Sequence, residues 1–186
     1  MNQTSSITML QLKCFINLYE LRRYDIAASR VFITNSTFSK HISNLEGLLG
    51  TQLFQPLIGR TPGSVTVVNL PSSDELYQVA KEMVFVSSTV KLDRLKIDSF
   101  YFIIYLSYLK NMRLLSRELN KNISFVMGHV NHIEKNAQTT LFKRYVGRNK
   151  SMILKIEAYY HIKCALKIVK LFESSSLMYK NKGELL

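Results

Sequence analysis

Residues 27–54 read AASRVFITNSTFSKHISNLEGLLGTQLF, and this stretch decides the fold. Within it, Thr34 precedes a run with apolar residues at helical spacing, and Gly50 follows that run. The pattern predicts a helix over residues 35–49 with a hydroxyl cap and a glycine stop. Helical spacing also predicts a short helix over residues 25–32 and a longer one over residues 10–21.

The residues that follow predict a hairpin and then a long helix. Prolines and glycines punctuate residues 55–63, and the β-rich run 65–68 comes next, which is typical of a two-stranded hairpin. Ser72 or Ser73 would cap a helix reaching about residue 94, with Asp74 and Glu75 in its first turn.

A shift of 88 positions aligns residues 12–60 with a second segment of the same chain without a gap. Two amphipathic stretches can agree by chance, because any apolar helix stripe matches another at some offset. Agreement of a glutamate, a Leu-Phe pair and a Gly-Arg pair at one offset favours duplication instead. The sequence thus predicts two domains, over residues 1–94 and 95–186, the second with a long helix over residues 157–174. The matched pairs are Glu46 with Glu134, Leu53-Phe54 with Leu141-Phe142, and Gly59-Arg60 with Gly147-Arg148.

Fifteen residues of the first copy stand in register with a known family pattern: Ala27, Ala28, Val31, Thr34, Asn35, Phe38, Ser39, Lys40, Ile42, Leu45, Glu46, Leu49, Gly50, Leu53 and Phe54. On these residues, the first copy resembles the N-terminal winged helix-turn-helix domain of LysR-type transcriptional regulators. The resemblance implies a mainly α fold, a winged helix-turn-helix domain followed by a linker-type helix, and the internal repeat predicts two such domains in tandem. It also implies a bacterial, cytoplasmic, nucleoid-associated regulator. In a departure from the family, we expect no effector-binding domain. Pro56 and Asn35 depart from the family's usual Arg and Gln.

The resemblance also implies which residues would contact DNA. In the first copy, the residues expected on or near the base-reading face are Asn35, Ser36, Thr37, Ser39, Lys40 and Asn44, with Arg60 on the wing. In the second copy, the basic residues expected on the wing are Lys143, Arg144, Arg148 and Lys150. Two simpler roles stay open: Ser36 and Thr37 could only satisfy first-turn amides, and the lysines could only solubilise a surface.

Charge is divided unevenly between the copies. The chain has 186 residues and a net charge of +12, of which residues 1–94 contribute +2 and residues 95–186 contribute +10. Phe125 and Met127 replace polar residues on the second copy's reading helix, and Gly128 stands where the first copy has Lys40. The charge therefore predicts phosphate contacts from the second copy, whereas base reading belongs to the first.

Composition narrows the function classes. With 47% hydrophobic residues the chain can bury a core, and its longest apolar run, residues 100–109, is too short to span a bilayer and predicts a buried helix. The two cysteines form no spaced framework, which favours a reducing compartment. His129 and His132 lie one helical turn apart without further ligands, so we expect no metal, no cofactor and no enzyme activity.

Two functions follow for the whole chain. In the first, the chain binds double-stranded DNA as an intramolecular pseudo-dimer, its two long helices pairing antiparallel through their apolar stripes. In the second, the linker helices or the apolar face of the second copy bind another transcription regulator, or a second copy of the chain. The stripes are Leu76, Val79, Met83, Val86 and Val90, and Ile162, Ala165, Val169 and Phe172.

Overall fold

A computed structural model describes residues 3–59, 61–68, 72–145 and 151–175. The chain divides into two units, one formed by Met1–Phe85 with Leu171–Leu186 and the other by Val86–Lys170. Within the described residues, no helix combines the length and the apolarity needed to cross a bilayer.

The first unit contains a 3-10 helix, three α-helices, an antiparallel hairpin, most of a fourth α-helix and the end of the last helix that the structure describes. The hairpin pairs Phe54 with Val67 and Pro56 with Val65. The elements are a 3-10 helix (Gln3–Ser6), α1 (Met9–Leu21), α2 (Tyr24–Val31), α3 (Asn35–Leu49), β1 (Phe54–Pro56), β2 (Val65–Val67) and α4 (Ser72–Thr89).

Local signals set the ends of α3 where the sequence predicts them. The Thr34 side chain accepts a hydrogen bond from the Thr37 amide, and Gly50 ends the helix in the left-handed conformation at φ 62°. A residue with a Cβ is disfavoured there, which explains the glycine. The predicted bounds and cap of this helix are confirmed.

Three other predictions need correction. Helix α2 ends at Val31 because Phe32 adopts a left-handed conformation at φ 60°. Helix α4 ends at Thr89 rather than near residue 94, because the chain turns through Lys91 at φ 55°. Ser72 and Ser73 lie inside the first turn of α4 and do not precede it, and the Ser73 hydroxyl donates to the Val68 carbonyl at 2.6 Å, which ties the helix start to the hairpin.

The core of the first unit lies between α1, α2 and α3. Phe15 and Phe38 are fully buried, and the Phe15 ring lies 5.7 Å from the ring of Phe54 on the hairpin. Burying one such side chain stabilises a fold by about 1.5–3 kcal/mol. The Tyr19 and Tyr77 rings stack at 4.3 Å, which ties α4 to α1.

The second unit has the same order of elements. Its hairpin is antiparallel and pairs Phe142 with Leu154. The prediction of a buried helix over residues 100–109 is only half right, because Tyr105 and Tyr108 of this helix are 54% and 86% exposed. The elements are α5 (Ile97–Leu109), α6 (Met112–Glu118), α7 (Ile123–Ala137), β3 (Phe142–Arg144), β4 (Met152–Leu154) and α8 (Ile156–Ser174).

Several backbone features of the two units recur 88 positions apart. A left-handed residue follows the first, second and third helix of each unit, and an Asn or Thr side chain caps each third helix. The left-handed pairs are Arg22 with Lys110, Phe32 with Asn120, and Gly50 with Gln138.

Candidate nucleic-acid interface

The outward face of α3 carries the residues that sequence analysis singled out. Phe38, Ile42 and Leu45 are buried on the opposite face, which turns the polar side toward solvent. Their DNA-contact roles stay predictions. The exposed residues are Asn35, Ser36, Thr37, Ser39, Lys40 and Asn44.

These exposed residues differ in whether their side chains already make hydrogen bonds within the protein. The Thr34 hydroxyl lies 3.1 Å from the Ser36 hydroxyl and donates to that of Thr37 at 2.9 Å. Both hydroxyls therefore belong partly to the helix cap. No side-chain hydrogen bond joins Asn35 or Lys40 to any other residue that the structure describes, so their polar groups remain available to a ligand.

Glu46 connects α3 to the hairpin. Its Oε1 accepts hydrogen bonds from the amides of Leu53 at 2.8 Å and Phe54 at 3.1 Å. Charge-assisted bonds of this kind are stronger than neutral ones. The hairpin is therefore held to the C-terminal part of α3. Arg60, which was predicted to lie on the wing, falls outside the described residues.

The second unit repeats this anchor with an added ion pair. Glu134 Oε1 accepts from the amides of Leu141 at 2.9 Å and Phe142 at 3.1 Å. Its Oε2 lies 2.6 Å from an Arg144 guanidinium nitrogen, which also donates to Asn131 at 2.8 Å. The structural role of this glutamate pair was missed by sequence reasoning, although the shared glutamate was a signal for it.

The predicted basic residues of the second unit fall into three situations. Lys143 is exposed, with its ammonium 5.8 Å from the centre of the Tyr145 ring. Arg144 is half-buried and engaged with Glu134. Arg148 and Lys150 fall outside the described residues.

The face of α7 is less polar than that of α3. The sequence predicts that Phe125 and Met127 are both on the outward face. Phe125 is 45% exposed, as this prediction requires, whereas Met127 is half-buried. The Asn122 side chain caps the helix by accepting from the Phe125 amide at 2.7 Å. This cap fixes the backbone at the start of α7.

The side chain of His129 packs against two aromatic rings on this face of α7. Its half-buried ring lies 4.5 Å from the Phe102 ring and stacks on Phe125 at 5.6 Å. Burial lowers the pKa of His129, and the charges of His132 and Lys96 lower it further, while Asp98 opposes them. No group of three or more potential metal ligands occurs among the residues described here.

We expect protonation of His129 to destabilise the chain. Because its pKa in the fold lies below the ordinary value of 6.5, the stability contributed by the neutral ring is complete above that value and is lost as pH falls through the lowered pKa. Denaturant unfolding at pH values from about 7.5 to 5 should show this loss as a fall in the free energy of unfolding. In His129→Gln, the free energy of unfolding should fall less steeply with decreasing pH. His41 contributes in the same direction because burial lowers its pKa too. An identical slope in His129→Gln would contradict the expectation.

Comparison with known proteins identifies part of the chain. Residues 9–67 match the model of the bacterial regulatory helix-turn-helix proteins of the lysR family. The HTH-type transcriptional regulator CysL of Bacillus subtilis (strain 168) is 37% identical over 82 residues, which make up 44% of this chain and 25% of that protein. The chain thus spans about a quarter of the length of this curated relative.

Two solved structures of Corynebacterium glutamicum OxyR cysteine mutants are also similar. One is 26% identical and is matched over 45% of this chain and 24% of its own, with a TM-score of 0.38. The other, bound to hydrogen peroxide, is 27% identical over 45% of this chain and 26% of its own, with a TM-score of 0.37. From the family match and the curated relative, residues 9–67 are a LysR-type helix-turn-helix domain.

Proposed function

We propose that the chain is a sequence-specific transcription regulator in which α3 enters the major groove of duplex DNA. The observation that carries this proposal is the outward face of α3, which is polar and exposed and includes the cation of Lys40. Glu46 is the sole carboxylate of α3, and it accepts from hairpin amides instead of facing a phosphate. An anionic duplex can therefore approach this face without a repelling charge from the helix itself.

The side chains on this face suit base edges and phosphates. The carboxamide of Asn35 or Asn44 can donate to and accept from adenine, and Lys40 can reach guanine or a phosphate. The hairpin, held to α3 by Glu46, would bring Arg60 to a phosphate or to the minor groove.

The second half of the chain is proposed as a divergent copy of the same unit that supplies phosphate contacts. The recurring left-handed residues, the caps Thr34 and Asn122, and the anchors Glu46 and Glu134 support a duplication. Lys143, Arg148 and Lys150 are the proposed contacts. Arg144 would join them through donors that Glu134 does not occupy, since a guanidinium has five.

The two copies are proposed to act as one pseudo-dimer, over residues 1–94 and 95–186, through antiparallel α4 and α8. The apolar stripes that both helices carry at helical spacing support this. Sedimentation should then give one chain per duplex, with protection of two successive major grooves. Two chains per duplex would contradict the pseudo-dimer and favour a homo-oligomer.

Titration of a duplex at rising salt tests the DNA-binding function. We expect the logarithm of the association constant to fall linearly with the logarithm of salt concentration, by roughly 0.9 for every phosphate neutralised. The control is a duplex of the same length and base composition whose sequence has been scrambled. It should retain only weak, salt-sensitive binding. Binding that does not depend on salt, or no binding at all, would contradict the proposal and favour the alternative of a protein that binds another regulator. The half-exposed Phe125 is the observation on which that alternative rests.

A further inference from the structure

Four side chains of the second unit form a column that ends at the surface. Phe102 is 5% exposed and lies against His129, whose ring stacks on Phe125. The Lys121 ammonium lies 5.9 Å from the centre of the Phe125 ring, on the exposed side of the unit. The column holds an aromatic ring in one orientation in the first turn of α7.

The corresponding positions of the first unit hold different chemistry. Eighty-eight residues earlier stand Cys14, His41 and Thr37 in place of Phe102, His129 and Phe125. Thr37 is exposed and accepts a hydrogen bond from Thr34, so no aromatic ring lies there. The second unit thus offers a rigid apolar tip where the first offers a hydroxyl.

We propose, on the basis of the DNA-binding function proposed above, that Phe125 is a specificity-determining residue that contacts the C5 methyl group of thymine. Among the bases, thymine alone presents a methyl group in the major groove, and an apolar side chain is its natural partner. Because stacking on His129 already orients the ring, little side-chain freedom is lost on contact.

The positive charge of the second copy and the small apolar area at Phe125 favour a DNA duplex over a protein as the partner of this surface. Residues 95–186 carry a net charge of +10, and Lys121 beside the ring adds a cation suited to a neighbouring phosphate. Around Phe125, the neighbouring exposed residues Ser124, Gly128 and His132 are polar or small. One half-exposed ring in such surroundings is much smaller than the apolar centre of a stable protein interface.

The experiment compares thymine with deoxyuridine, which lacks only the methyl group. The full chain first selects its preferred duplexes from a random library, and each thymine of the consensus is then replaced by deoxyuridine in turn. At the thymine that Phe125 contacts, replacement by deoxyuridine should lower the affinity about three- to fivefold, because the burial of one methyl group is lost. In Phe125→Ala the two duplexes should bind equally, whereas Phe85→Ala, which removes another exposed phenylalanine, should keep the difference.

The outcomes separate this inference from the function on which it rests. Failure to select or bind any duplex would overturn both. Specific binding with no thymine-to-deoxyuridine difference at any position would overturn the role of Phe125 alone. A difference that persists in Phe125→Ala would also overturn it, because another residue would then make the contact. The comparison in the parent protein changes only the DNA, so it does not depend on the folding of a variant.

Discussion

Replacing Glu46 with alanine is expected to lower the free energy of unfolding by about 3 kcal/mol, because two amides lose a charged acceptor. The amides belong to Leu53 and Phe54, both of which are buried in the hairpin. Unlike a solvent-exposed amide, they have no ready access to water as a substitute partner. Denaturant unfolding followed by circular dichroism measures the change.

Two matched variants make this prediction specific. Glu46→Gln keeps a carbonyl oxygen that can accept the same bonds, so it should cost about 1 kcal/mol, because only the charge is lost. Glu118→Ala removes an exposed carboxylate at the end of α6 and should change stability by less than about 0.5 kcal/mol. If Glu46→Ala destabilised the chain no more than Glu118→Ala, the anchoring role would be refuted.

Lys40→Glu is expected to weaken binding to the selected duplex by more than tenfold at about 0.15 M salt, because it places an anion on the face proposed to meet phosphates or guanine. Lys40→Ala should have a smaller effect. If Lys40 contacts a phosphate, this variant should reduce the slope of log affinity against log salt by about one. If Lys40 contacts a guanine instead, discrimination at one base pair should relax while the slope changes less. Fluorescence anisotropy over a series of salt concentrations distinguishes the two contacts.

The control for Lys40→Glu is Lys81→Glu, which makes the same change in net charge at an exposed position on α4. We expect it to weaken binding by no more than about threefold, since Lys81 is not on the face of α3 and an exposed charge outside the contact is largely screened at this salt concentration. Equal losses in the two variants would mean that net charge, and not the face of α3, governs binding. Circular dichroism spectra of both variants confirm that the comparison is made between folded proteins.

Local chemistry made the helices predictable. The bounds of α3 follow from Thr34, which can cap a helix, and Gly50, which can take up the left-handed conformation that ends one. Where the capping residues are less clear, the observed end of a helix differs from the predicted one. Phe32 lies inside the second helix that the sequence predicts, but in the structure it is the left-handed residue that ends α2.

The candidate site was predictable only in part. The six predicted residues of α3 are exposed because the apolar residues at helical spacing are drawn into the core, and spacing alone reveals which side that is. The engagement of Arg144 with Glu134 was not predictable, because ten residues and a turn separate the two side chains along the chain.

By itself, the sequence determined the position of α3, the polar character of its outward face and the recurrence of a similar pattern 88 residues later, because caps, stops and apolar spacing act over a few residues. Tertiary structure alone decided that Glu46 holds the hairpin and that Phe125 is stacked on His129 above Phe102. These contacts join residues from different elements, and their geometry exists only after the helices have packed.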